Sequence, residues 1–233
     1  RDAQESRGLG DVYKRQYVGY SESFQPLGGL DAYGTPYKPQ RGEQWEAGVK
    51  WQPPGQGISA FAAVYTLREK NRKTTDPGNP LNSLQIGEVK VNGFEAEVQA
   101  SLARQWDFTL AYAFTDAQIS RSNAGDQGQA VAGAPRHTAS AWLSHRFAAQ
   151  GRGGWVVGAG VRYTGSQWTG TSAITTPAAT LADAMVAYDA GDWRVAFNVV
   201  NLTDKVHITQ CLARGDCFYG QARTYTLTST YRF

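Results

Sequence analysis

The chain has 233 residues, with Gly 26, Tyr 12, Trp 7 and only 18% charged residues, a composition suited to a β-rich protein with many turns and a length suited to one large β domain or two ordinary ones. A formal net charge of +3, spread along the chain, excludes the clustered basic footprint of a nucleic-acid binder. No apolar run approaches the roughly 20 residues of a membrane helix, which excludes a helical membrane protein but not a β-barrel, whose alternating strands average out in any hydropathy window.

The chain opens at Arg1, its sole methionine is Met185, and no basic-then-apolar leader precedes the first apolar segment, so it is expected to be an N-terminally truncated piece. Residues 1–16 are charged and lack alternation; they are expected to be an extraneous tail or a solvent loop. From Tyr17, period-two patterning predicts strands near 17–24, 43–52, 58–70, 83–103, 105–120, 136–148, 154–167, 179–189, 192–201 and 221–233. Short connections at 53–57, 104–105, 150–153 and 190–191 alternate with long ones at 25–42, 71–82, 121–135, 168–178 and 202–220. The long set is rich in Gly, Pro, Asn, Asp and Thr, as loops should be.

Within the strands one face is apolar and the other polar. Trp45, Ala47, Val49 and Trp51 alternate with Glu46, Gly48 and Lys50; Trp106, Phe108, Leu110, Tyr112 and Phe114 alternate with Asp107, Thr109, Ala111, Ala113 and Thr115. The last strand places Tyr225, Leu227, Tyr231 and Phe233 on one side and Thr224, Thr226, Thr228, Thr230 and Arg232 on the other. A soluble sheet could carry that final pattern by itself. Long strands with Glu and Lys recurring on one face, aromatics at strand ends, and tight turns at one rim with long loops at the other fit a transmembrane antiparallel β-barrel better. The fold class is therefore all-β, with short turns periplasmic and long loops extracellular.

Catalytic signatures are absent: there is no GxxxxGK, GxGxxG, GxSxG or HExxH, and His137, His145 and His207 are scattered. Segments 76–79 and 123–126 lack the repeated carboxylates of a calcium loop. No catalytic residue, protein-bound metal or cofactor is expected. Cys211 and Cys217, six apart in the last long loop, are close enough for a small disulfide ring, with a metal site or a redox pair as rival readings.

Several local patterns resemble TonB-dependent outer-membrane receptors, specifically siderophore receptors of the ferrichrome type. They are Tyr20-Ser21-Glu22-Ser23-Phe24-Gln25-Pro26, Glu43 to Lys50 as ExxExGxK, Asn92-Gly93-Phe94-Glu95-Ala96-Glu97, Gly133-Ala134-Pro135-Arg136-His137, Asn201-Leu202-Thr203-Asp204-Lys205, and the C-terminal Phe233. The C-x5-C followed by Phe218-Tyr219-Gly220 is similar to that family's last extracellular loop. The resemblance covers residues 17–233 and implies about ten C-terminal strands of a 22-stranded, plugged barrel, without the plug or the segment that engages TonB. It implies an outer-membrane receptor that imports ferric siderophores, iron arriving as the chelate. Implied partners are the siderophore, the TonB complex, the barrel assembly machinery and the lipid bilayer, with no nucleic acid and a monomeric full-length protein. Tyr225, Leu227, Tyr231 and Phe233 would be the assembly signal.

Candidate ligand contacts are Tyr33, Tyr37, Trp168, Leu212, Phe218 and Tyr219. The loops carry Lys38, Arg41, Arg72, Lys73, Arg121, Lys205 and Arg214 against Asp31, Asp76, Asp126, Asp204 and Asp216. Aromatic walls without a dense cationic cluster suit a near-neutral hydroxamate chelate. Alternatives are a receptor for another metal chelate, a plug-free porin or autotransporter barrel, and a soluble β-sheet binding domain.

Overall fold

The computed structural model describes residues 13–31, 33–76, 78–102, 105–148, 153–171 and 173–233. The elements are β1 (Lys14–Gln25), β2 (Gln40–Trp51), β3 (Ile58–Asp76), β4 (Asn79–Leu102), β5 (Trp106–Arg121), β6 (His137–Ala148), β7 (Gly153–Thr164), β8 (Gln167–Trp168), β9 (Thr175–Thr176), β10 (Ala179–Ala190), β11 (Trp193–Val200), β12 (Ile208–Cys211), β13 (Cys217–Tyr219) and β14 (Thr224–Tyr231). Ten of these pair antiparallel in one sheet, in the order β1-β2-β3-β4-β5-β6-β7-β10-β11-β14. Every connection within this sheet is therefore a hairpin, the up-and-down pattern of a barrel wall. Among the described residues β1 and β14 each keep one unpaired side.

Continuous registers keep the two faces apart. Tyr17 lies opposite Gly48 and Ala63 opposite both Gly48 and Glu95, so these share one face with Glu46, Lys50 and Glu97. The other face carries ring pairs between neighbouring strands: Tyr20 with Trp45 at 4.8 Å between centroids, Trp155 with Tyr188 at 4.8 Å, and Trp193 with Tyr231 at 4.9 Å. On β7, Trp155 and Tyr163 bracket the apolar stretch and stand about 26 Å apart along the strand, or roughly 20 Å along the barrel axis at the usual tilt. That is the scale of an outer-membrane apolar band. The inward face is instead tied by ion pairs, among them Arg162 with both oxygens of Asp183 at 2.6 and 3.0 Å.

Gly93 makes room for a ring: a Cβ at this position would stand 2.2 Å from Tyr65 Cζ. Tyr65 lies directly opposite Gly93 on β3 and reaches across it to Thr115 on β5, 3.3 Å from hydroxyl to hydroxyl.

The structure departs from the expected boundaries in five places. Sheet pairing of β1 begins at Lys14, where Lys14, Arg15 and Gln16 lie opposite Trp51, Lys50 and Val49; residues 1–12 lie outside the described residues. The expected loop 71–82 is instead the tip of the β3–β4 hairpin, paired as far as Asp76 and Asn79 across three register irregularities. Its Lys-Asn-Arg-Lys-Thr-Thr run shows no apolar alternation, so the period of two that marks the rest of the strand is missing there although the pairing continues. The loops 168–178 and 202–220 contain the small sheets β8–β9 and β12–β13. The last strand is paired over Thr224–Tyr231, shorter than the expected 221–233. Parts of the expected turns at 104–105 and 150–153 lie outside the described residues.

Candidate functional site

The long-loop rim is built up from the end of β11. Asn201, fully buried and in the left-handed region at φ 56, starts the turn that leaves the sheet. Its side-chain amide donates to the carbonyls of Lys205 at 3.0 Å and Gln221 at 3.2 Å, while its Oδ1 accepts the Lys205 N–H at 2.9 Å. Asp204 Oδ1 accepts the Arg223 N–H at 2.8 Å, so both ends of segment 201–223 are clamped together. These are the local side-chain-to-backbone bonds for which Asn and Asp are suited in turns.

Inside that segment Cys211 and Cys217 are joined by a disulfide, with a Cα separation of 4.0 Å. The ring rests on the preceding loop. Buried Thr176 on β9 accepts the Cys211 N–H through Oγ1 at 2.8 Å, and Gln167 on β8 donates to the Thr209 carbonyl at 3.5 Å. The β8–β9 hairpin is tied in turn to loop 122–136, where the Gly133 N–H donates to the Trp168 carbonyl at 2.8 Å. Asn123 of that loop meets Thr74 on the β3–β4 hairpin. The hairpin holds loop 26–39: Gln85 exchanges two bonds with the Lys38 backbone, both 2.6 Å, and Lys73 Nζ stands 3.8 Å from the Tyr37 ring centroid. The five long connections therefore form one continuous packed rim.

Where β3, β4, β5, loop 122–136 and β8 converge lies an open cavity of about 280 Å³. Gly87, Val89 and Ile119 face it from the sheet, Trp168 and Gly170 close one side, and Arg72, Lys73, Arg121, Glu88 and Asp126 bring charge. A larger cavity of about 740 Å³ lies at the opposite, short-turn rim beside Tyr13, Lys50, Pro54 and Asp107, and one of about 360 Å³ lies at mid-height beside Glu95, Glu97 and Arg162. Neither touches the long loops.

The expected contact residues are not gathered in one place. Trp168 lines the rim cavity. Tyr37 is engaged with Lys73, and its hydroxyl donates to the Ser83 carbonyl at 3.4 Å. Tyr33 stands apart at 86% exposure on loop 26–39. Leu212 sits in the disulfide ring, where its N–H donates to the Asp216 carbonyl at 2.8 Å, and Phe218 and Tyr219 on β13 remain exposed. Arg72 and Lys73 lie on a strand rather than a loop, and they meet Arg121 and Trp168 only through the fold. Among the described residues no group of three His, Cys, Asp or Glu side chains is placed to hold a metal ion.

A family model described as TonB dependent receptor-like, beta-barrel matches residues 11–202. The chain belongs to this family. As a member of the TonB-dependent receptor family, the sheet is part of an outer-membrane barrel. The ferrioxamine B receptor of Salmonella typhimurium is 34% identical over 224 residues, covering 93% of this chain and 32% of that relative. The ferrichrome outer membrane transporter/phage receptor of Escherichia coli is likewise 34% identical, over 93% of this chain and 30% of its own length. Among solved structures, the ferric-catecholate import receptor Fiu of Escherichia coli superposes with a TM-score of 0.78 at 24% identity, over 96% of this chain and 33% of Fiu. That last likeness concerns the fold. The chain spans about a third of the length of these relatives.

Proposed function

We propose that this TonB-dependent receptor, as a whole protein, imports ferric siderophores of the hydroxamate class across the outer membrane, with energy supplied through TonB. The observation that carries the reading is the rim itself: five interlocked loops, three of which line a cavity with Trp168 in its wall, on a chain whose 34%-identical relatives are receptors named for ferrioxamine B and ferrichrome. In this reading the whole barrel has 22 strands and a plug, the rim captures the chelate, and the protein transports without catalysing a reaction. Iron is cargo held by the chelate, not a resident cofactor. Tyr225, Leu227, Tyr231 and Phe233 form the outward stripe of the last strand that the barrel assembly machinery reads.

The test is uptake of radiolabelled ferric hydroxamate by cells that lack other siderophore receptors and express the full-length gene. Uptake above the empty-vector background, lost when TonB is deleted, is the expected result. TonB-independent passage of the chelate together with unrelated small solutes would instead make the protein a porin. A second cargo class has one specific observation in its favour, since the metal-pseudopaline receptor CntO of Pseudomonas aeruginosa is 29% identical over 93% of this chain. Competition by a non-ferric metal chelate in the same assay separates the two.

A further inference from the structure

The lipid-facing side of β2, β3 and β4 carries charge directly above its apolar band. Going up this face from Ala47 and Val64, which lie opposite each other, Trp45 and Thr66 come next, then Glu43 and Arg68, then Arg41 and Lys70. Lys90 on β4 stands opposite Arg68. Two cross-strand pairs are therefore of like charge, Arg41 with Lys70 and Arg68 with Lys90, an arrangement that destabilises a sheet unless an anion relieves it. The nearby carboxylates are engaged. Glu43, two positions from Arg41, bonds Lys70 at 2.7 Å; Glu88, two positions from Lys90, bonds Arg68 and Ser120, each at 3.1 Å. Asp116 pairs with Arg136 at 2.9 Å and accepts from Gln118 at 2.9 Å, and Glu22, opposite Glu43 at the β1 margin, accepts from the Tyr20 hydroxyl at 2.5 Å. The exposed side chains of Arg41 and Lys90 are left with no hydrogen bond or ion pair among the described residues.

Below the Tyr20 and Trp45 rings the same strands form an apolar trough. Two adjoining hollows of about 330 and 320 Å³ share Val18, Ala47 and Val64, with Val49 and Ala62 lining one and Trp45 the other. Arg41 lies six residues beyond Ala47, about 20 Å along the strand or roughly 15 Å along the barrel axis at the usual tilt. Trough, ring belt and unpaired cations thus follow the order of acyl chain, interface and head group in a lipid. Arg41 and Lys90 are two strands and one two-residue step apart, about 12 Å by strand geometry, so they can meet two phosphates of one head. This face points away from the lumen, so neither feature depends on what fills the barrel. We infer that the outer side of β1–β4 holds one anionic lipid, with an acyl chain in the trough and its phosphates at Arg41 and Lys90. In the orientation expected from the loop lengths, that lipid belongs to the outer leaflet. The inference rests on the barrel family and is independent of the cargo.

The test titrates full-length receptor in a neutral detergent with diphosphoryl lipid A and with its monophosphoryl form, which share their acyl chains. The diphosphoryl form should bind about fivefold more tightly, the worth of one cation beside an anionic lipid head. Arg41→Gln and Lys90→Gln should each remove that preference. Arg41→Lys and Lys90→Arg should keep it, which guards against variants that merely disturb the rim. Ala47→Phe fills the trough and should weaken both lipids by the same factor, leaving the preference intact. Equal affinity of the wild type for both forms, or a preference that survives loss of Arg41 and Lys90, overturns the inference and leaves these residues as ordinary interfacial anchors. Displacement of the lipid by inorganic phosphate alone would assign the cations to a free anion and overturn the lipid as occupant.

Discussion

Thr176 and Cys211 are 35 residues apart, yet the hydroxyl of one accepts the backbone N–H of the other at 2.8 Å in a buried contact. This bond seats the disulfide ring on the β8–β9 hairpin and so links the two long loops that carry the small sheets. Replacing Thr176 with valine keeps the shape and leaves a buried N–H without a partner, a loss of about 1–3 kcal/mol. Segment 201–223 should then be cut faster by protease on cells expressing the full-length receptor. A digestion rate equal to wild type would show that the ring stays seated without Thr176.

Gly93 and Tyr65 supply a prediction inside the barrel wall. A side chain at position 93 would collide with the Tyr65 ring, 2.2 Å from its Cζ, and push the hydroxyl away from Thr115. Gly93→Val should therefore destabilise the barrel by about 1–3 kcal/mol, the usual range for overpacking. The Tyr65→Ala/Gly93→Val double variant should recover much of that loss, since the two residues occupy the same space. The temperature at which the full-length receptor loses its compact mobility in detergent gels measures both. A double variant no more stable than Gly93→Val would remove Tyr65 as the cause.

These two contacts mark what the sequence makes legible. The ten strands could be read because lipid on one side and a polar lumen on the other impose a period of two, visible in runs such as Trp106 to Thr115. Above the membrane that constraint ends, so the paired Arg72 to Asp76 stretch reads as loop, and β8, β9, β12 and β13 are too short to show any period. The rim cavity is hidden for a different reason: Arg72, Arg121 and Trp168 meet only because three hairpins are stacked side by side. Trp168 could be singled out as an aromatic in a long loop, but that same criterion also selected Tyr33, which projects into solvent away from the cavity. At Gly93 the sequence gives no sign that a tyrosine on the neighbouring strand takes the space a side chain would fill.

The free edges of β1 and β14 predict how these ten strands behave alone. Lipid offers no hydrogen bonds to an unpaired strand edge, and an exposed edge invites pairing with other chains. Residues 13–233 expressed by themselves should not form a monomeric, heat-resistant barrel in liposomes and should self-associate. Recovery of a closed monomeric pore would contradict the assignment to the wall of a larger barrel.

Deletion of Phe233 tests the last strand as an assembly signal. The outward stripe Tyr225, Leu227 and Tyr231 already packs in part on β11, with Phe197 against Tyr225 at 5.9 Å and Trp193 against Tyr231 at 4.9 Å. Phe233 lies beyond the paired residues, so its removal should cost the folded sheet little. Full-length receptor lacking Phe233 should nevertheless reach the outer membrane poorly while synthesis is unchanged. Wild-type abundance in the membrane would remove the terminal ring from recognition and leave it a packing role beside Tyr231.

The disulfide ring carries the last prediction. Phe218 and Tyr219 follow Cys217 directly and present exposed rings at the rim, while Thr209 Oγ1 donates to the Phe218 carbonyl at 3.1 Å and fixes the strand that bears them. The ring closes a short loop, a constraint that contributes about 2 kcal/mol to its order on the chain-entropy estimate. Two roles are open to it: presenting these aromatics to the chelate, or stiffening a loop that proteases reach. Alanine at both Phe218 and Tyr219 leaves the disulfide and the Thr176 seat untouched, so the loop should resist protease as before. If the rings touch cargo, ferric hydroxamate affinity should fall about tenfold or more at equal surface abundance, as expected for loss of two aromatic contacts. Unchanged affinity would leave the ring with stiffening alone and move ligand recognition to the Trp168 side of the rim.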